Sequence, residues 1–143
     1  MRPIALADTG FLLALLDAED AWHEDCVNVL RQISLPLLTS DAVLTELFYF
    51  LGAEARTQTQ AWQFFRAHGT TLGAIADDDL PSIERLMLRY ADRPMDFADA
   101  TLVHLAERES LDTILTVDHD DFETYRIGGR KRFNIFPERR RKR

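Results

Sequence analysis

The sequence predicts an α/β sandwich with a mostly parallel sheet of four to five strands. Short apolar runs alternate along the chain with longer segments whose apolar residues recur at helical spacing. Strands that alternate with helices are typical of parallel sheets, because each helix carries the chain back to the start of the next strand. No internal repeat or linker divides the 143 residues, a length that suits one domain with its own core.

The predicted elements follow from apolar spacing and from residues that begin or end helices. Ser40 and Asp41 are start signals for one helix, and Gly52 ends it. Pro81, after three aspartates, suits the first turn of another helix. The predicted strands are 3–7, 35–39, 70–76, 113–117 and 132–136. The predicted helices are 11–16, 20–33, 42–51, 55–68, 82–90 and 96–108.

Charge is distributed unevenly along the chain. Residues 1–129 contain 9 arginines, no lysine and 23 acidic residues, which gives a net charge of −14 at pH 7. Residues 130–143 contain 8 basic residues and one glutamate, which gives +7. We therefore expect a single domain over 1–137 and a basic tail over 138–143. This asymmetry indicates a polyanionic partner.

The composition excludes several classes of protein. Cys26 is the only cysteine, so neither an intrachain disulfide nor a site with several cysteine ligands can form. The longest apolar stretches are too short to span a bilayer, and the N-terminus lacks a signal-peptide pattern. Both features favour a cytoplasmic location without membrane insertion. A P-loop is absent, because no lysine precedes residue 130.

Five carboxylates stand in positions where a site would form. Asp8 and Asp118 follow predicted strands, and Glu46 borders the apolar face of a helix. Asp96 and Asp99 open another helix, three residues apart on one face. Each has an ordinary alternative role, as a helix cap or turn former for the aspartates and as a solvated rim residue for Glu46.

Together these carboxylates predict a cation site. Strand ends and helix starts converge at one edge of an α/β sheet, where several carboxylates would repel one another unless a cation neutralised them. Oxygen ligands favour Mg²⁺ or Mn²⁺, which can activate water and hold a phosphate. No arrangement of serine, cysteine and histidine competes, since His104 is expected to be an ordinary packed or exposed residue and His119 a loop residue.

Four short segments in this order resemble the PIN domain, and in particular the VapC-type toxins of bacterial and archaeal toxin–antitoxin systems. They are 7–15, 44–47, 96–100 and 115–122, and the resemblance extends over 4–136. It implies an α/β/α sandwich with endoribonuclease activity that depends on Mg²⁺ or Mn²⁺. It also implies a homodimer and a cognate antitoxin protein that blocks the site, for which an inserted arginine would suit the carboxylates.

The resemblance further implies a role for each site residue. It assigns the catalytic quartet to Asp8, Glu46, Asp99 and Asp118. Among these, Asp8 and Asp99 match the most regular metal ligands and Asp118 completes the metal shell. Glu46 would hold a ligand water or a second ion.

Supporting residues follow from the same resemblance and from the charge of the tail. Thr9 and Thr116 match hydroxyl positions that orient the site, and Asp96 is an alternative to Asp99 in the metal shell. We expect RNA phosphates to contact the basic residues Arg130, Lys131 and Arg132. For residues 139–143, RNA contact and a solvated chain end are both open.

Two alternative functions remain at this level. The first is a PIN-like domain that binds RNA or protein without cleaving it, which the intact carboxylate quartet disfavours. The second is a phosphatase that uses carboxylates and a metal. That chemistry needs an Asp-x-Asp pair and a lysine, whereas Gly10 stands two residues after Asp8 and residues 1–129 contain no lysine.

Overall fold

A computed structural model describes residues 2–140 and shows a five-stranded parallel sheet flanked by helices. The strands are β1 (Leu6–Ala7), β2 (Leu37–Thr39), β3 (Thr70–Leu72), β4 (Thr113–Leu115), β5 (Arg126–Ile127), β6 (Lys131–Arg132) and β7 (Asn134–Phe136). The helices are α1 (Thr9–Leu16), α2 (His23–Arg31), α3 (Asp41–Leu51), α4 (Ala55–Arg66), α5 (Leu80–Arg89), α6 (Phe97–Arg108) and α7 (His119–Thr124). A 3₁₀ turn, Asp77–Asp79, precedes α5.

The strand order in the sheet is β3-β2-β1-β4-β7, and every pairing is parallel. The predicted α/β fold is therefore confirmed. Within residues 2–140, no helix has both the length and the apolar character needed to cross a membrane.

Strands β1 and β4 occupy the centre of the sheet and are paired directly. Leu6 lies opposite Ile114, and Ala7 lies opposite Leu115, with all four side chains fully buried. Burial on both faces explains why these strands read as continuous apolar runs. Because the two strands are parallel and in register, the chain segments that follow them leave the sheet side by side.

Helix α6 lies in the interior, with every residue from Ala98 to Ala106 buried. It packs against α3 and α5. The Ser40 and Thr101 hydroxyls are 2.7 Å apart in the core, which fixes the start of α3 against α6. The Ser40 hydroxyl also accepts the Val43 N–H at 3.3 Å and so caps α3.

Several predicted segments differ from the structure. Two predicted strands are shorter, because 3–7 is confined to Leu6–Ala7 and 70–76 ends at Leu72. The predicted helix 20–33 is shorter, because turns occupy its first residues and the helix begins at His23. The predicted strand 132–136 is divided: residue 132 belongs to the antiparallel hairpin β5–β6, and the sheet strand begins at Asn134. Gly128 and Gly129, both with positive φ, form the hairpin turn.

The expectation of a loop at Asp118–Asp121 is wrong, because helix α7 begins there. The Asp118 side chain accepts the Asp121 N–H at 3.4 Å and caps the helix. His119 lies inside α7, buried, with Nε2 2.8 Å from the Pro137 carbonyl oxygen. Six residues are too few for helical periodicity to be visible, and isolated helices of this length are unstable without tertiary packing.

His104 is a packed residue, as expected. Its Nε2 lies 2.9 Å from Oδ1 of Asp79, so it joins α6 to the 3₁₀ turn. The same carboxylate contacts Arg108 at 3.4 Å through its other oxygen. This network belongs to the scaffold.

We predict that Gly10→Ala destabilises the protein although alanine is the better helix former by about 0.5–1 kcal/mol. A Cβ at residue 10 would lie 2.9 Å from Cγ2 of Val117, a β-branched side chain with little freedom to move. Such overpacking costs about 1–3 kcal/mol. Urea denaturation should show a lower free energy of unfolding for Gly10→Ala than for the native protein. In a protein that also carries Val117→Ala, the same added methyl should lower the free energy of unfolding by less. A Gly10→Ala variant as stable as the native protein would contradict this account.

Candidate active site

A cavity of about 380 Å³ opens at the carboxyl edge of the sheet, above β1 and β4. The predicted quartet lines this cavity together with Thr9 and Asp96, and Asp121 adds a further carboxylate. No lysine, arginine or histidine lines it among residues 2–140. The complete lining is Asp8, Thr9, Gly10, Leu13, Glu46, Phe50, Pro94, Asp96, Asp99, Val117, Asp118 and Asp121.

Asp8 is the first residue after β1, and both of its carboxylate oxygens accept hydrogen bonds. The Thr9 N–H donates to Oδ1 at 2.8 Å, so Asp8 also caps α1. The Thr116 hydroxyl donates to Oδ2 at 2.8 Å. Asp8 is only 7% exposed, and these two donors fix its carboxylate with respect to the sheet. The capping role and a site role are therefore compatible.

Two threonines connect the carboxylates to one another. The Thr9 hydroxyl donates to Oε1 of Glu46 at 2.7 Å, while its backbone N–H bonds Asp8. The Thr116 hydroxyl donates to Asp8 and accepts the Asp118 N–H at 3.0 Å. Each threonine thus sets the distance between two acidic residues that come from different elements.

Asp99 lies in the first turn of α6 and is 8% exposed. Its N–H donates to Oδ1 of Asp96 at 2.8 Å, so Asp96 is the cap of α6. The hydroxyl of Tyr125 donates to Oδ2 of Asp99 at 2.9 Å. Sequence reasoning missed Tyr125, which follows α7. The available signal was an aromatic residue soon after an acidic segment, and that pattern alone does not indicate a contact with α6.

Asp118 and Asp121 complete the acidic lining from α7. At the rim, Arg93 Nε lies 3.3 Å from Oδ1 of Asp121, and Arg93 Nη1 donates to the Thr124 hydroxyl at 2.8 Å. Arg93 therefore offsets Asp121 at the mouth and leaves the inner carboxylates without a basic partner.

Burial and crowding raise the pKa values of the inner carboxylates. Burial raises the pKa of Asp8 to about 6, although its two hydrogen bonds oppose the rise. Burial, followed by the charge of Asp8, raises the pKa of Asp99 to about 8. Burial and Asp121 raise the pKa of Asp118 to about 6, and burial also raises the pKa of Glu46. Protons or a bound cation must offset this charge.

The donor set fits a divalent cation, because it consists of carboxylate oxygens and no basic side chain of the described chain neutralises them inside the cavity. No three acidic, histidine or cysteine side chains of the described chain are already arranged to hold one ion. Hydroxyl and amide donors hold the individual carboxylates, as at Asp8 and Asp99. Ligation would draw these carboxylates together around one ion.

The structure does not bring the predicted RNA-contacting segment to this cavity. Lys131 Nζ lies 2.8 Å from Oδ2 of Asp112, which precedes β4 and marks the opposite edge of the sheet. Arg130 and Arg132 belong to the same hairpin and are exposed.

The first tail residues contact the body of the domain. Arg139 pairs with Asp120 at 2.6 Å and with Glu123 at 3.0 Å. Arg140 pairs with Asp25 at 3.2 Å, and its guanidinium lies 4.0 Å from the Trp22 ring centroid. Residues 141–143 lie outside the described part of the chain.

A parallel α/β sheet with an acidic cavity at its carboxyl edge agrees with the family comparison. The PIN domain family model matches residues 5–127, and the chain belongs to this family. The predicted resemblance is confirmed. Ribonuclease VapC26 of Mycobacterium tuberculosis is 28% identical over 134 residues, which cover 92% of this chain and 99% of that protein. The crystal structure of VapC20, a Sarcin-Ricin loop cleaving toxin of the same organism, has the same fold. It matches with a TM-score of 0.70 and 21% identity over 81% of this chain and 91% of that one.

We predict that Asp99→Asn stabilises the metal-free protein at pH 8. Folding raises the pKa of Asp99 from 3.8 to about 8, so the unfolded chain releases this proton first as the pH increases. The native protein therefore loses stability between about pH 4 and pH 8, by about 1.4 kcal/mol for each tenfold difference in proton affinity. Asparagine cannot ionise, and its side-chain oxygen can still accept the Tyr125 hydroxyl.

Thermal denaturation in chelator checks this prediction. The melting temperature of the variant should exceed that of the native protein at pH 8 by several degrees, at about 2–4 °C per kcal/mol. The difference should shrink as the pH falls toward 4 and disappear at lower pH, where the folded and the unfolded native chain both hold the proton. A variant that melts below the native protein at pH 8 would show that the charged carboxylate stabilises the fold.

Proposed function

We propose that this protein is an endoribonuclease of the VapC toxin type that depends on Mg²⁺ or Mn²⁺ and hydrolyses RNA phosphodiester bonds. The observation that carries the proposal is the convergence of Asp8, Glu46, Asp99 and Asp118 on one cavity that no basic residue lines within residues 2–140. Membership of the PIN domain family and the ribonuclease name of a relative over nearly the whole chain support it.

The proposed mechanism divides the work among the carboxylates. Asp8, Asp99 and Asp118 would hold the cation, with Asp96 next to them as the cap of α6. A bound Mg²⁺ or Mn²⁺ would supply a Lewis acid that polarises water and offsets charge on the phosphate. Glu46, fixed by the Thr9 hydroxyl at the cavity wall, would hold a water or a second ion. Its raised pKa suits it to accept a proton from that water.

Cleavage of RNA in Mg²⁺ or Mn²⁺ tests this mechanism. Asp8→Asn and Asp99→Asn should each reduce the rate by roughly two to three orders of magnitude, because each removes a charge that positions the cation. Asp77→Asn removes the same charge from the exposed 3₁₀ turn and should retain the native rate. Excess chelator should abolish cleavage by the native protein. Full activity in chelator, or in either site variant, would contradict the metal-dependent mechanism.

We also propose a homodimer and an antitoxin partner. Phe50, which lines the cavity at the end of α3, is 62% exposed, and its neighbour Tyr49 is 79% exposed. Trp62 on α4 is 48% exposed. Exposed apolar patches of this kind mark protein interfaces. An arginine of an antitoxin would find unpaired carboxylates in the cavity. An RNA substrate places the proposed activity in the cytoplasm.

Arg130 and Arg132 remain proposed contacts to RNA phosphates, remote from the cleavage site, whereas Lys131 is held by Asp112. We predict that Arg130→Gln/Arg132→Gln weakens RNA binding. The fall of log affinity with log salt should also become less steep, by about 0.7 in the slope for each lost contact with single-stranded RNA. Filter binding at several salt concentrations measures this slope. Arg56→Gln/Arg66→Gln, on α4, removes the same charge as a control. Equal slopes in the hairpin variant and the native protein would refute the assignment.

A further inference from the structure

The hydroxyl of Tyr125 lies in the core and points at a carboxylate of the cavity. The side chain is fully buried, and its hydroxyl donates to Oδ2 of Asp99 at 2.9 Å. Among the described residues, no hydrogen bond engages Oδ1 of Asp99. Asp99 lines the cavity, so the two oxygens of this carboxylate have different environments. One is held by the protein, and the other is free to bind a ligand.

Packing keeps the Tyr125 ring in one position. The ring makes edge contacts with Tyr90 and Phe122, at centroid distances of 5.1 Å and 5.2 Å. The Tyr125 N–H donates to the Asp121 carbonyl at 3.0 Å. Ring and backbone are therefore both held, and the hydroxyl cannot follow Asp99 if the carboxylate rotates.

Helix α7 places this hydroxyl with respect to the other side of the cavity. Asp118 caps the beginning of α7, and Tyr125 immediately follows its last residue. The helix rises about 9 Å over its six residues. It connects Asp118, three residues after β4, to Tyr125, whose hydroxyl bonds Asp99 on α6. These two carboxylates are separated along the chain by 19 positions, and α7 connects them through one short rigid element.

We propose that Tyr125 is a positioning residue for divalent-cation binding, which holds Oδ2 of Asp99 so that Oδ1 faces the ion, with α7 fixing Asp99 relative to Asp118. This inference rests on the proposed function, because it requires that the cavity binds a cation. Tyr125 itself touches neither the ion nor the RNA. Its effect passes through Asp99.

The roles of the Tyr125 hydroxyl and the Tyr125 ring can be tested separately. Tyr125→Phe keeps the aromatic contacts and removes one donor, which leaves Oδ2 of Asp99 without its partner in a buried place. The carboxylate is then free to rotate, and the geometry of Oδ1 is no longer set before the ion binds. Groups that orient metal ligands in this way contribute roughly 10–100-fold to metal affinity.

Tyr90→Phe is a matched control. It removes a hydroxyl from the ring that packs against Tyr125, but that hydroxyl bonds the backbone N–H of Arg126 and no carboxylate. Both variants lose one buried or half-buried hydroxyl from the same aromatic cluster. Only Tyr125→Phe loses a contact with the cavity.

The experiment titrates Mn²⁺ alone into the native protein and both variants by calorimetry at pH 7.5, after thermal denaturation in chelator has shown that each is folded. We expect Tyr125→Phe to bind Mn²⁺ roughly 10–100-fold more weakly and Tyr90→Phe to bind within about twofold of the native protein. RNA cleavage by Tyr125→Phe should recover as Mn²⁺ is increased, with the KM for RNA at saturating Mn²⁺ unchanged.

The outcomes separate this inference from the proposed function. If the native protein binds Mn²⁺ and cleaves RNA, equal Mn²⁺ affinity in Tyr125→Phe overturns the inference and leaves the proposed function standing. Equal losses of affinity in both variants overturn it as well, because they would assign Tyr125 to packing alone. A native protein that neither binds Mn²⁺ nor cleaves RNA overturns both.

Discussion

The direct pairing of β1 with β4 is the constraint on which the acidic cavity depends. The Asp8 N–H donates to the Leu115 carbonyl at 2.9 Å, so the ladder between the two strands continues up to the first site residue. Asp8 and the segment that leads to Asp118 then emerge next to each other. Two aspartates that are 110 positions apart in the chain share one cavity because two short buried strands are parallel and in register.

Bringing carboxylates together opposes folding unless something offsets their charge. At Asp8 and Glu46 the offset comes from threonine hydroxyls and a helix N–H, and at Asp99 it comes from Tyr125. These donors are neutral and offset burial and repulsion only in part, so the pKa values of Asp8 and Asp99 are raised. Such a site stores an unfavourable electrostatic interaction that the proposed cation would remove on binding. Stability without the ion would then be reduced in favour of affinity for it.

The division of charge along the sequence acquires a structural meaning. Arg139 and Arg140 form ion pairs with acidic residues of α7 and α2, and Lys131 forms an ion pair with Asp112. Part of the basic tail therefore neutralises the acidic body. Arg139 lowers the pKa values of Asp120 and Glu123 on the exposed side of α7. Asp118, the cap of the same helix, has a raised pKa and no basic partner among residues 2–140. One short helix thus has a neutralised outer face and an acidic end at the cavity.

The sequence by itself determined the α/β class, the presence of five sheet strands and five of the six carboxylates that line the cavity. Buried parallel strands have a distinctive apolar pattern, and acidic residues at strand ends and helix starts are visible one at a time. The tertiary structure alone decided the contacts among them. Helix α7 is too short to show periodicity, and its capping by Asp118 reads equally well as a turn. The contact from Tyr125 to Asp99 depends on how α7 packs against α6, and the separation of Lys131 from the cavity depends on the hairpin. Both features depend on packing between residues that lie far apart in the chain. The local sequence around either residue carries no signal for such packing.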